Sequence, residues 1–184
     1  MNQITPPRKD HKTTIVWREK KIETLEDIIS NSLRVLFIGI NPSLVSMEIG
    51  HYHMGRLGKR FWKRLEEYEI IEYISGFNDD QLKKYGFGIT DIVKTPSKRG
   101  KEIRDDLEYG RSLLLEKIES WKPEKICFIY KLTAESLLGR KLAWNTARIE
   151  GELHGASLYH MPSPYASKEE ESKIMNELRA AFKR

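Results

Sequence analysis

The run from Arg34 to Pro42, RVLFIGINP, sets the terms on which this chain can fold. Val35 to Ile38 is apolar at every position, so both faces of the element must be covered. A run this short and this rich in β-branched and aromatic residues reads as a buried central strand. Gly39 permits an unusual backbone angle and Pro42 forbids further strand pairing, so the strand stops there. That leaves Asn41 at the carboxyl end of a central strand, where open α/β sheets bind their ligands. Taken alone, Asn41 fits an Asx-type turn, bonding its own backbone, at least as well as it fits a binding site.

Similar signals recur along the chain. Residues 1–12 are polar and proline-containing and read as a flexible N-terminal arm, with residues 13–184 as a single domain. Thr13 to Trp17 is a short β-prone run. Thr24 is a candidate N-cap with Asp27 three residues on, and Leu25, Ile28 and Ile29 share one face, which predicts a helix there. Residues 41–58 form a long glycine-dotted loop, a length that points to function. Helical spacing follows from Arg60 to Ile70, then a short helix or turn from Asn78 to Lys84. Gly86 to Val93 is an irregular second strand ending at Lys94-Thr95-Pro96-Ser97. Lys101 to Ser120 is an amphipathic helix, Lys125 to Tyr130 a third strand, and Thr133 to Leu138 a helix closed by Gly139. A fourth strand, Ala156 to Met161, is halted by Pro162-Ser163-Pro164. Ser167 caps a closing helix with Glu169, Glu170 and Glu171 in its first turn.

Strands parted by helices or long crossovers predict a three-layer α/β/α domain on a short, mostly parallel, four-stranded sheet. Four carboxyl ends then meet at one rim: Asn41, Lys94/Thr95, Tyr130/Lys131 and Pro162-Ser163-Pro164.

Composition narrows the function. With 39% hydrophobic and 32% charged residues among 184, the chain suits a globular protein with a heavily charged surface. No apolar run approaches the roughly 18 residues of a membrane span, so no membrane role is expected. The lone Cys127 lies inside an apolar run, which excludes an internal disulfide and a four-cysteine metal site and favours an intracellular protein. The net charge of +5 is unevenly placed. His51 to Arg64 carries five basic residues and no acid, and Lys94 to Lys101 carries four. On loops, such clusters suit contacts to phosphate, although a solvated basic surface fits them too.

Three rim segments together resemble the uracil-DNA glycosylase superfamily, and within it the mismatch-specific uracil/thymine-DNA glycosylase branch. Gly39-Ile40-Asn41-Pro42-Ser43-Leu44, then Gly50-His51-Tyr52-His53 and Gly58-Lys59-Arg60-Phe61-Trp62, is similar to that branch's GINPGL, GHHY and GNRFW signature. Gly88-Ile89-Thr90-Asp91-Ile92-Val93 resembles its second segment, and Met161-Pro162-Ser163-Pro164-Tyr165 resembles the family's late Pro-Ser motif. The resemblance runs from about residue 33 to residue 167, in the family's order.

The resemblance implies a hydrolase that removes uracil, or a related deaminated or mispaired base, from duplex DNA. Asn41 would orient the attacking water, with Thr95 and Ser163 assisting. Gly39, Ile40, Tyr52, His53 and Met161 would line the base pocket, and Tyr165 would be the wedge that fills the gap left by the flipped base. Arg56, Lys94, Lys98, Arg99 and Lys131 are the expected phosphate contacts. No metal or cofactor is needed for this chemistry, and the protein is expected to act as a monomer. An amide cannot take a proton, so Asn41 lacks a carboxylate's general-base contribution of about 10²–10⁴ and turnover is expected to be slow. Met161 stands where the most active branch has a histidine, and it cannot donate a hydrogen bond to the leaving base. Two rivals stay open: a DNA-binding relative with little or no activity, and a nucleoside or nucleotide hydrolase. Against the second, the chain has no dinucleotide or P-loop glycine motif and no acid at the end of its first central strand.

Overall fold

In β3 (Val35–Gly39) every residue is buried, and strand alternation divides its side chains between two cores. The structure, a computed structural model, describes residues 10–98 and 100–183, the side chains of 100–102 excepted. Val35 and Phe37 pack with Phe61 and Leu65 of α2 (Arg56–Glu67) and with Ile174, Leu178 and Phe182 of α5 (Lys168–Phe182). Leu36 and Ile38 pack on the other face with Leu114 and Ile118 of α3 (Leu107–Trp121) and Ala134 and Leu137 of α4 (Lys131–Leu138). Each such side chain, fully buried, contributes about 1.5–3 kcal/mol. The result is the expected three-layer arrangement.

The sheet also contains β4 (Phe87–Asp91), β5 (Lys125–Phe128), β6 (Arg148–Leu153) and β7 (Ala156–His160), in spatial order β4-β3-β5-β7-β6. It therefore has five strands, not four. The first four in that order run parallel, while β6 pairs antiparallel with β7. β6 escaped the sequence reading because a register shift between Ile149 and Glu152 spoils its alternation. Its turn is His154-Gly155, with both residues at positive φ (50° and 81°), a hairpin geometry that Asn-Gly usually announces.

The helix expected at Thr24 is a strand. β1 (Lys12–Trp17) and β2 (Lys20–Leu25) form a separate antiparallel hairpin. Instead of capping a helix, the Thr24 hydroxyl donates to the Lys94 carbonyl at 2.7 Å, and Leu25 is fully buried in the core. Tertiary contacts outweigh local propensity here. Of the expected arm, residues 1–9 lie outside the described residues, but residues 10–12 are held. His11 is buried, its amide donating to the Gly50 carbonyl at 2.8 Å. The expected loop at 41–58 contains α1 (Leu44–Ile49), where the Ser43 side chain accepts from the Ser46 amide and Gly50, at φ 84°, ends the helix. No helix among the described residues is long and apolar enough to cross a membrane.

Candidate active site

Parallel register brings the motif ends together. Gly39 pairs with Asp91, the Ile129 amide donates to the Ile38 carbonyl, and the Met161 amide donates to the Phe128 carbonyl. From β3 the chain goes on to β4 on one side, and from β5 to β7 on the other, so their carboxyl ends part at a topological switch point. A cleft of about 380 Å³ opens there, lined by Asn41, Tyr52, His53, Asp91 and Tyr130, with Arg56 and Lys98 also on its lining. A second cavity, of about 290 Å³, lies at the sheet's amino end beside Arg34, whose guanidinium is engaged by the Tyr85 and Phe182 carbonyls.

Asn41 is fixed. Its Nδ2 donates to the Thr95 carbonyl and the Ser97 hydroxyl, both at 2.9 Å, and to the Pro42 carbonyl at 3.3 Å. Carbonyls only accept, so the amide nitrogen must face them and Oδ1 is turned away from them. Thr95 reaches Asn41 through its backbone, because its hydroxyl donates to Asp106 at 2.9 Å. Ile92, Val93 and Ser97 amides donate to the Gly39, Ile40 and Pro42 carbonyls, which ties Asn41's loop to the end of β4.

Asp91 was missed by the sequence reading, although a carboxylate in an otherwise apolar strand was a visible signal. It is 4% exposed, and its Oδ1 has no hydrogen-bond partner among the described residues. Burial pushes its carboxyl up to about 7; Lys94 opposes this rise and Asp27 reinforces it. Gly39 makes room for it, since a Cβ at residue 39 would lie 2.1 Å from Asp91 Oδ1 and 3.4 Å from His53 Cε1.

His53 adopts a positive φ of 57° and is packed against α2, where a Cβ at Gly58 would meet its backbone at 2.6 Å. Burial lowers its pKa to about 4, so it is a neutral ring at physiological pH, and its Nε2 has no partner among the described residues. It lies 5.0 Å from the Phe61 ring and 6.3 Å from Tyr130. Tyr52 is a fixed wall. Its hydroxyl donates to the Glu26 carbonyl, its amide donates to Asp79, and its carbonyl accepts from the Trp62 indole.

The basic residues divide differently from expectation. Lys94, expected at phosphate, is only 3% exposed, with Nζ 2.5 Å from Asp27 and within reach of the Leu25 carbonyl. Asp27 also binds Lys117 at 2.7 Å; burial alone would raise its pKa, and the two ammoniums hold it below the usual carboxylate range. Lys94 is therefore an internal cation and leaves the phosphate set. Arg56, Lys98 and Lys131 are exposed, Arg56 in the first turn of α2 and Lys131 in that of α4. Arg99 lies outside the described residues.

The late motif is held by Arg64, which the sequence had placed in the surface basic cluster. It is buried, and its guanidinium donates to Glu171 at 2.7 Å and to the Pro162 and Ser163 carbonyls at 2.9 and 3.0 Å. Met161 is buried beside Phe61 and Tyr130, whereas His160 points to the other face and stacks on Trp144 at 3.6 Å. Ser163 Oγ accepts from the Tyr165 amide at 3.2 Å, and Tyr165 itself is 79% exposed.

A fixed amide, a neutral imidazole and a buried carboxyl, set in one cleft at a sheet's switch point and flanked by exposed bases, define an α/β domain with a polar, ring-lined pocket open to an anionic ligand. The profile of the Uracil DNA glycosylase superfamily matches residues 26–183, and the chain belongs to that superfamily. Members of the superfamily are DNA glycosylases, hydrolases of base excision repair.

Proposed function

We propose that the protein is a monofunctional, mismatch-leaning DNA glycosylase that removes uracil or a related deaminated or mispaired base from duplex DNA, acting as a monomer. The observation that carries this reading is the locked Asn41 amide, whose Oδ1 is left to accept a hydrogen bond from a water at the cleft. The water adds to C1′ as the C1′–N bond breaks through an oxocarbenium-like sugar, and the base leaves with the bonding electrons. The water's second proton passes to solvent, because an amide cannot keep it. No lysine stands at position 41, so no Schiff base forms there.

Asp91 sets the electrostatics of departure. Protonated, it leaves the cleft uncharged toward a base leaving as an anion; ionised, it opposes that charge. His53 and Tyr130 offer neutral rings to an extruded base, and Tyr165 supplies the wedge. Extrusion costs a few kcal/mol, least for a poorly paired base, and Met161 gives the leaving group no hydrogen bond, so turnover is slow and favours mispairs. Arg56, Lys98 and Lys131 contact backbone phosphates. Single-turnover cleavage of duplexes carrying G·U, G·T, A·U, hypoxanthine or ethenocytosine, run beside Asn41→Ala, tests the reading. Product from at least one duplex, lost in the variant by about 10²-fold or more, is the expected result. No product at stoichiometric enzyme, with duplex binding retained, would mean a DNA-binding relative without the chemistry.

A further inference from the structure

Behind the wall formed by Tyr52 lies a second cluster that the excision chemistry does not use. His11, His51, Asp79 and Asp80 each offer one ligand atom, and these atoms all lie within 4.8 Å of one another. His51 and Asp79 are each 1% exposed, His11 is 9% exposed, and Asp80 lies at the surface. We propose that this cluster is a structural site for a first-row divalent cation, with Zn²⁺ the best fit to two imidazoles and two carboxylates.

Two features of the cluster point to a cation. Both ring nitrogens of His11 face carboxylates: Nδ1 lies 3.2 Å from Glu26, and Nε2 lies 2.9 Å from Asp80 and 3.9 Å from Asp79. A neutral imidazole has a hydrogen on only one nitrogen, so the other would set its lone pair against a carboxylate's. The arrangement calls for a positive charge at Nε2, which a second ring proton or a metal ion supplies; with the ion, Nδ1–H stays on Glu26. That carboxylate–histidine–metal relay is how protein zinc sites orient their histidines. The spacing is near that of a metal shell, with two pairs now at hydrogen-bond distance. Tetrahedral Zn²⁺, with bonds of about 2.0–2.2 Å, places neighbouring donors about 3.3–3.5 Å apart. The distances found are 2.9 Å for His51 Nδ1 to Asp79, 2.9 Å for His11 Nε2 to Asp80 and 3.9 Å for His11 Nε2 to Asp79. Small side-chain movements close the shell around an ion.

The site's position gives it a role. It joins three stretches far apart in sequence: the segment entering β1, the loop after α1, and the 3-10 helix Asn78–Tyr85. His51 is also stacked on Phe77 at 3.7 Å, and Asp79 accepts from the Tyr52 amide at 2.7 Å. A metal here fixes the loop that carries Tyr52 and His53 without touching a substrate. Imidazole with carboxylate selects zinc and its neighbours over Mg²⁺ or Ca²⁺, which take oxygen donors. The inference stands whether or not the cleft excises bases, because its readout is metal binding.

The test strips the full-length protein with a chelator, then titrates it with ZnCl₂ by calorimetry and with CoCl₂ by visible absorption. The expected result is one Zn²⁺ per chain, a melting temperature raised by about 5 °C or more, and the d–d bands of tetrahedral Co²⁺. His11→Gln and Asp80→Asn, at the cluster's outer edge and near in size to the originals, should each weaken binding at least about tenfold. Absence of saturable Zn²⁺ binding by the unmodified protein overturns the proposal. So does equal binding with an equal thermal shift in both variants, which would place the ion elsewhere on the surface.

Discussion

Gly39 and Asp91 stand opposite one another in register across β3 and β4, and the Asp91 carboxylate occupies the space that a side chain at residue 39 would need. The two positions therefore act as one. Gly39→Ala places a methyl 2.1 Å from Oδ1, and a short, buried side chain has little freedom to move away. The expected cost is about 1–3 kcal/mol of folding stability, the usual range for overpacking, measured by urea denaturation. In an Asp91→Ala background the same substitution should cost much less. An identical cost in both backgrounds would show that the crowding lies elsewhere.

Asp91 should also write a pH dependence on stability. The folded chain keeps its proton up to about pH 7, whereas the unfolded chain releases it near the ordinary value of 3.8. Between these values the unfolded state binds fewer protons, so this group's contribution is full below about pH 4 and is lost as pH rises through 7. Asp91→Asn removes the effect. It should stabilise the protein at pH 8 by about 1–4 kcal/mol relative to the unmodified chain and change little at pH 4. The single-turnover excision rate should fall as pH rises through about 7 in the parent and stay flatter in the variant. A stability difference that does not vary with pH would mean that Asp91 is ionised throughout.

The chain's text announced some of this and hid the rest. Asn41 was legible because glycine and proline fix where a strand stops, and stopping is a local property. Asp91 showed only as a carboxylate in a mostly apolar strand, because its importance comes from the absence of a side chain at Gly39, two α-helices earlier in the sequence. Lys94 and Arg64 proved internal for a similar reason. Both sit in basic stretches, and only the tertiary partners, Asp27 for one and Glu171 with two carbonyls for the other, draw them inside. The Arg18-Glu19 turn between β1 and β2 adopts positive φ at both residues without glycine or asparagine, so nothing local marked that hairpin.

The burial of Lys94 beside Asp27 has a direct consequence. Lys94→Ala leaves Asp27 buried with Lys117 as its remaining ammonium partner, and the expected loss is about 3 kcal/mol or more of stability. Arg56→Ala and Lys98→Ala should each change stability by less than about 0.5 kcal/mol. Each should instead lower the slope of log affinity for duplex against log salt by about 1. A stable Lys94→Ala protein with a reduced salt slope would return Lys94 to the phosphate set.

Tyr165 is the sharpest test of the late motif, because folding and function make opposite demands on it. At 79% exposed it contributes little to the core, while Arg64 beneath it fixes the carbonyls of Pro162 and Ser163 and so fixes where the tyrosine stands. Tyr165→Ala should leave the melting temperature within about 1 °C, the behaviour of an exposed site. It should lower the population of extruded base, read by 2-aminopurine fluorescence beside the lesion, by roughly tenfold, since base–aromatic stacking is worth about 1–3 kcal/mol. Tyr165→Phe keeps the ring and should keep the function. Arg64→Ala should behave differently, costing stability because Glu171 is left with Lys168 as its remaining cation, and extrusion through the loosened loop. If Tyr165→Ala extrudes and excises as well as the parent, the ring is surface packing, and the gap in the duplex must be filled by another side chain of the rim.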